Sequence, residues 1–216
     1  MHESVQKLVH IEKVVKSKKK ESKTITIVAV SKTFNLDKIS PLIEYGHLHY
    51  GENKVQEALD KWTDIKEKKP ELKLHLVGKL QTNKVKFALK IFDFIHSVDS
   101  EKLAKKIAEE QLKQNKKVKI FLQVNIGNED HKSGVLKSDL SNLFKYCKNL
   151  DLDVIGLMCL PPANIDPTPF FKELSMMSQS LNLSELSMGM SSDYDKAIEN
   201  SSTFIRVGSN IFGERS

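Results

Sequence analysis

The sequence predicts an α/β protein built as one closed (β/α)8 barrel, a TIM barrel, with an extra helix in front. Three observations carry that prediction: apolar, β-branched runs recur eight times, segments of helical periodicity separate them, and no linker interrupts the series. The candidate strands are residues 24–31, 47–50, 72–77, 94–98, 118–126, 152–160, 185–188 and 204–207. The candidate helices between them are 36–45, 54–68, 83–91, 100–115, 137–149, 169–181 and 194–200, and residues 3–18 form a charged amphipathic helix ahead of the first strand. Eight strands in series close as a barrel or stay open in a doubly wound sheet. No Gly-x-Gly-x-x-Gly follows the first strand, which counts against the dinucleotide-binding version of the open sheet. A chain of 216 residues fits one such barrel, and with no repeat or Pro/Gly/Ser-rich linker the expectation is a single domain, 1–216.

Charge and composition narrow the function classes. The net charge is +6, yet 32 of the 34 basic residues are lysine and only Arg206 and Arg215 are arginine. Sequence-reading nucleic-acid binders lean on arginine for bidentate contacts. Here the lysines are interspersed with 28 acids, as on a solvated face, so specific nucleic-acid binding is not expected. Two denser lysine clusters, 16–23 and 113–119, suit at most weak contact with acidic partners. No run of 18 apolar residues is present and residues 1–20 lack a signal-peptide core, so no membrane partner and a cytoplasmic location are expected. Two cysteines, Cys147 and Cys159, give neither a disulfide framework nor metal-ligand spacing. A monomer without a metal is the expectation.

A barrel of this kind carries its chemistry at the C-terminal ends of its strands. The first strand ends Val28-Ala29-Val30-Ser31-Lys32, and by the period of two Val28, Val30 and Lys32 share a face. A lysine on the inward face sits at the barrel mouth, partly desolvated, where its neutral amine becomes available to attack an aldehyde. Taken alone, a strand-end lysine reaching for solvent is the simpler reading. The end of the chain changes the balance. Residues 204–213 read as a last strand and a Gly-Ser turn, with Arg206 and Gly208 on one face, and Gly208 and Ser209 suit a phosphate. Residues 187–192 open the preceding loop with glycine and serines, a second anion-suited turn, although Ser191 or Ser192 also serves as an ordinary helix cap. Asn53, Asn83 and Asp99 read as caps of the helices that follow, His75 as a core histidine and His131 as an exposed one.

Taken in order, these residues resemble a known family. Val28-Ala29-Val30-Ser31-Lys32-Thr33, Gly51-Glu52-Asn53 with Val55-Gln56-Glu57, His75-x-x-Gly78-x-Leu80-Gln81-x-Asn83-Lys84, Lys132-Ser133-Gly134, Gly156-Leu157-Met158, Ser187-Met188-Gly189-Met190-Ser191 and Arg206-Val207-Gly208-x-x-Ile211-Phe212-Gly213 are similar to the pyridoxal phosphate homeostasis proteins. Those proteins have the barrel of the alanine racemase N-terminal type. The resemblance implies a pyridoxal 5'-phosphate cofactor held as a Schiff base on Lys32, with its phosphate on Ser191, Gly208 and Ser209. It further implies that Arg206 lies near the pyridine nitrogen and that Asn53, Met158 and Met188 line the cofactor. His75 belongs to a shared motif. His131 and Lys79 depart from common serine and proline positions, neither of them at a proposed contact.

Pyridoxal phosphate acts as an electron sink most strongly when its ring nitrogen is protonated beside a carboxylate. An arginine there disfavours that proton. Racemases of the related fold tolerate it but draw an opposite-face acid/base from an added β domain, and the 216 residues show none. The expectation is therefore a non-catalytic protein, with no catalytic residue, that buffers and delivers the cofactor inside the cell through transient contact with pyridoxal phosphate-dependent enzymes. A weak racemase-like enzyme is the alternative.

Overall fold

In the computed structural model, which describes residues 1–18, 24–130 and 132–214, eight parallel strands close into a barrel in the order of the chain. The strands are β1 (Thr26–Val30), β2 (His49–Glu52), β3 (Lys73–Leu76), β4 (Phe94–Val98), β5 (Lys119–Val124), β6 (Asp153–Cys159), β7 (Glu185–Met190) and β8 (Phe204–Val207). Helices α1 (Glu3–Lys18), α2 (Leu36–Tyr45), α3 (Val55–Lys68), α4 (Val85–Ile91), α5 (Glu101–Gln114), α6 (Leu140–Asn149), α7 (Thr168–Ser180) and α8 (Tyr194–Glu199) surround it, and a four-residue helix, α9 (Ser209–Phe212), ends the series. The fold is the (β/α)8 barrel with its N-terminal helix, as the alternating pattern predicted. The basic cluster 16–23 from residue 19 onward, His131 and Arg215 lie outside the described residues.

The differences are local. Two predicted helices start with a tighter turn, Thr82–Lys84 and Lys137–Asp139. The Gly-Ser turn after β8 winds into α9. Closure is direct: Val28 of β1 pairs with Arg206 of β8, and Val30 pairs with Gly51 of β2.

Alternation along the strands sorts the core into two layers. Inside the barrel, Val28, Phe94, Phe121, Met158 and Phe204 pack together. The larger layer fills the space between strands and helices, with Trp62, Ile39, Leu42, Ile107 and Phe171 all buried. None of the described helices is long and apolar enough to cross a membrane.

Candidate functional site at the C-terminal mouth of the barrel

Lys32 follows β1 directly, and the turn that carries it is fixed by its neighbours. The Ser31 N–H donates to the Gly51 carbonyl at 2.9 Å and its hydroxyl donates to Glu52 Oε1 at 2.8 Å. The Ser31 carbonyl accepts from Lys61 Nζ at 3.0 Å, and the Thr33 N–H donates to Glu57 Oε1 at 2.7 Å. Glu52 is wholly buried and its Oε1 also accepts from Lys61 Nζ and Trp62 Nε1, each at 3.0 Å. Burial works to raise the Glu57 carboxyl, but the Thr33 amide and Lys61 outweigh it and bring the group below its ordinary range. Thr33 sits at φ 68°, a left-handed conformation that costs a β-branched residue roughly 1–2 kcal/mol. Lys32, partly buried, thus stands between two anchored residues. Val28 faces the interior, Val30 continues its phase, and Lys32 follows in the turn at that end of the strand.

The loops after β7 and β8 meet through one hydroxyl. Ser191 Oγ accepts the N–H groups of Gly208 at 3.2 Å and Asn210 at 3.4 Å, while Asn210 Nδ2 donates to the Ser191 carbonyl at 2.8 Å. Ser191 is therefore not the cap of α8; Asp193 stands at that position without a side-chain capping bond and instead accepts the Met190 N–H at 2.6 Å. Gly208 permits the approach of β8 to β1, since a Cβ there would stand 3.3 Å from the Val30 carbonyl. Ser209 is exposed beside this joint.

Arg206 points into the barrel, 5% exposed. Its guanidinium donates to Ser187 Oγ at 2.6 Å and to the Cys159 carbonyl at 2.9 Å. Burial lowers its pKa to about 10, so it remains a cation at neutral pH. Met158, on β6, is buried in the inner layer. Asn53, just past β2, leaves its buried Oδ1 without a partner among the described residues and does not cap α3. A Cβ on Gly78 would overlap the Asn53 carbonyl, so glycine is what lets these two loops meet.

One residue stands elsewhere than the sequence suggested. Met188 shares a strand face with Leu186 and is buried in the outer layer, away from the face of Ser187. Its side chain packs toward the helices, and the inward position belongs to Ser187. Asp99 also differs: its carboxylate accepts the Gly134 N–H at 3.3 Å and ties down a loop, with no capping bond to α5. Ser31, Glu52, Glu57, Lys61 and Ser187 escaped the sequence reading as positioning residues. The Gly51-Glu52-Asn53 motif was the available signal, but nothing in it says that Glu52 faces α3.

A cavity of about 760 Å³ opens at the opposite end of the barrel, lined by His49, Phe94, Lys119 and Phe204. Position decides against it as the primary site, because barrels of this class place their chemistry at the C-terminal mouth, where Lys32 and the joined loops lie.

Fold and site define a (β/α)8 barrel protein with a lysine, a buried arginine and an anion-suited joint gathered around one mouth. Residues 7–216 match the family model described as alanine racemase, N-terminal domain. The "Pyridoxal phosphate homeostasis protein" of Aquifex aeolicus is 38% identical over 199 residues, covering 88% of this chain and 86% of that one. The protein of the same name from Escherichia coli K12 is 32% identical, covering 88% and 86%. The chain belongs to the pyridoxal phosphate homeostasis protein family. Among solved structures, PipY of Synechococcus elongatus superposes with a TM-score of 0.89 without pyridoxal phosphate, at 32% identity and covering 98% of this chain and 100% of that one. The form of PipY with pyridoxal phosphate bound gives 0.86 at the same identity, covering 97% and 100%. An alanine racemase from Clostridium difficile, 13% identical with a TM-score of 0.72, shares the fold over 94% of this chain and 55% of its own.

Proposed function

We propose that this protein binds pyridoxal 5'-phosphate at the C-terminal mouth of the barrel and serves to buffer and deliver it. The observation that carries this reading is the joint of Ser191, after β7, with the Gly208 and Asn210 amides, after β8, the strand that pairs with β1 just ahead of Lys32. Backbone N–H groups and hydroxyls converging at a glycine turn are the donor set a phosphate requires. The unpartnered Asn53 Oδ1 and the buried Arg206 cation add polar groups suited to the rest of such a ligand.

In this reading Ser191, Gly208 and Ser209 hold the phosphate, Arg206 stands at the pyridine end, and Asn53 and Met158 flank the ring. Lys32 is the covalent anchor, holding the cofactor as a Schiff base. Pyridoxal phosphate supplies an aldehyde for that amine and, in enzymes, an electron sink. Arg206 works against the sink: a guanidinium can only donate, and its charge disfavours a proton on a nearby pyridine nitrogen. The residues at the mouth therefore favour holding the cofactor over using it. Brief contact with pyridoxal phosphate-dependent enzymes would complete delivery.

Titration with pyridoxal phosphate tests the binding. We expect a visible imine absorption band in the wild type that is absent in Lys32→Ala. A colourless wild-type protein would contradict the reading. Incubation with single amino-acid enantiomers in deuterated water tests the carrier role, and steady deuterium uptake at the α-carbon would replace it with a racemase-type enzyme.

A further inference from the structure

Behind Arg206, the inside of the barrel holds a continuous line of hydrogen bonds. Ser187 Oγ lies 2.8 Å from His96 Nδ1, His96 Nε2 lies 2.9 Å from His75 Nδ1, and His75 Nε2 lies 2.9 Å from His49 Nδ1. Ser187, His96 and His75 are fully buried, whereas His49 lines the 760 Å³ cavity at the far end. The line runs from the buried interior beside Arg206 to the far end of the barrel. Aromatic stacking sets the ring planes: His75 lies on Phe94 at 4.2 Å and 11°, and His96 on Phe121 at 4.4 Å and 22°. Among the described residues, no three His, Cys, Asp or Glu side chains gather as metal ligands, and these imidazoles are engaged pairwise with one another.

Donor bookkeeping gives the line a direction. A guanidinium has no acceptor, so Ser187 Oγ must accept from Arg206. The single Ser187 proton then needs an acceptor, and the one within reach among the described residues is His96 Nδ1. His96 therefore carries its proton on Nε2 and donates to His75 Nδ1. His75 in turn donates from Nε2 to His49 Nδ1. Burial holds His75 and His96 well below the ordinary histidine range, and the Arg206 charge pushes His96 the same way, so both rings are neutral. Every dipole then turns its negative end toward the guanidinium, which is how a polar interior helps to stabilise a buried cation.

We propose that Ser187, His96 and His75 form a one-directional relay that positions Arg206 and stabilises its charge, making His96 and His75 positioning residues for whatever Arg206 contacts. The part that concerns pyridoxal phosphate rests on the function proposed above; the polarity of the line does not. Nitrogen-15 NMR of the imidazoles in protein without pyridoxal phosphate reads that polarity. We expect the neutral Nε2–H tautomer at both His96 and His75. A proton on Nδ1 of His96, or a doubly protonated ring at neutral pH, would overturn the relay.

Two variants read its effect on Arg206. His96→Phe keeps the stack on Phe121 and removes both nitrogens; His96→Asn keeps an acceptor near the Nδ1 position. Loss of one hydrogen bond in a chain ending on a charge corresponds to roughly ten-fold in affinity. We expect pyridoxal phosphate binding to weaken by about that factor in His96→Phe, and to stay within about three-fold of wild type in His96→Asn. Equal weakening in both variants, or none in His96→Phe, would refute the positioning role. A wild-type chain that took up no pyridoxal phosphate would contradict the proposed function while leaving the NMR result to judge the relay.

Discussion

Arg206 illustrates how much one side chain depends on its surroundings. In the sequence it is one of only two arginines; in the structure it is a buried cation whose hydrogen-bond partners among the described residues are a hydroxyl and a carbonyl, both neutral. Charge-assisted bonds of this kind are worth about 1.5–3 kcal/mol each. Ser187→Ala leaves one guanidinium N–H unsatisfied in the interior, and we expect it to destabilise the fold by about 2 kcal/mol in chemical denaturation. At Ser191, replacement by alanine removes the oxygen that joins the two loops, and pyridoxal phosphate affinity should fall about ten-fold, measured by titration of the visible band. Unchanged affinity would place the phosphate elsewhere. Placement was legible for residues next to a strand end: Lys32 after β1, Arg206 inside β8 and Gly208 just past it. Met188 was misread because a strand's period leaves the absolute facing of each residue open until one neighbour is fixed. Ser187, hydrogen-bonded to Arg206 and His96, supplies that fix.

At the scale of elements, the β1–α2 turn is held from outside the barrel. Glu52 on β2 and Glu57 and Lys61 on α3 reach across to Ser31 and Thr33, so α3 positions the turn that carries Lys32. Breaking a buried ion pair by neutralising one partner costs about 3–5 kcal/mol. We expect Glu52→Gln to lower stability by about 3 kcal/mol and to slow imine formation at Lys32, followed by stopped-flow absorbance. A variant with wild-type stability would show that the Lys61 contact carries little of the energy. Glycine acts at the same scale: Gly78→Ala drives a methyl into the Asn53 carbonyl and should displace that loop, weakening binding while α3 stays formed. The element boundaries were readable from periodicity. The tie between the β1–α2 turn and α3 was not, because it joins polar residues 24 to 30 positions apart in sequence, with no periodic signal.

The whole molecule follows from closure. Eight βα units were visible as alternation, and once they close, the first and last strands become neighbours and bring Lys32 to the Gly208 turn. The barrel also forces polar residues of β2, β3, β4 and β7 to face one another, which is why His49, His75, His96 and Ser187 line up inside. That line was invisible in the sequence, where each histidine looked isolated. It leaves a signature in stability. Burial holds His47 at about 4 and His75 and His96 well below the ordinary range of 6.5. The unfolded chain therefore binds more protons than the folded one once pH falls below about 6.5. Stability is fully present above that value and declines toward pH 4, by up to roughly 1.4 kcal/mol per pH unit for each histidine. Denaturation midpoints measured between pH 8 and pH 4 should show this loss, and His75→Phe should flatten it.

The central claim is that the amine of Lys32 holds the cofactor. Borohydride reduction of the protein loaded with pyridoxal phosphate, followed by peptide mapping, tests it most directly, since reduction fixes the imine wherever it stands. We expect a single modified peptide carrying the pyridoxyl group on Lys32, absent from Lys32→Ala. Label on a different lysine in the wild type, or undiminished stoichiometric label in Lys32→Ala, would contradict it.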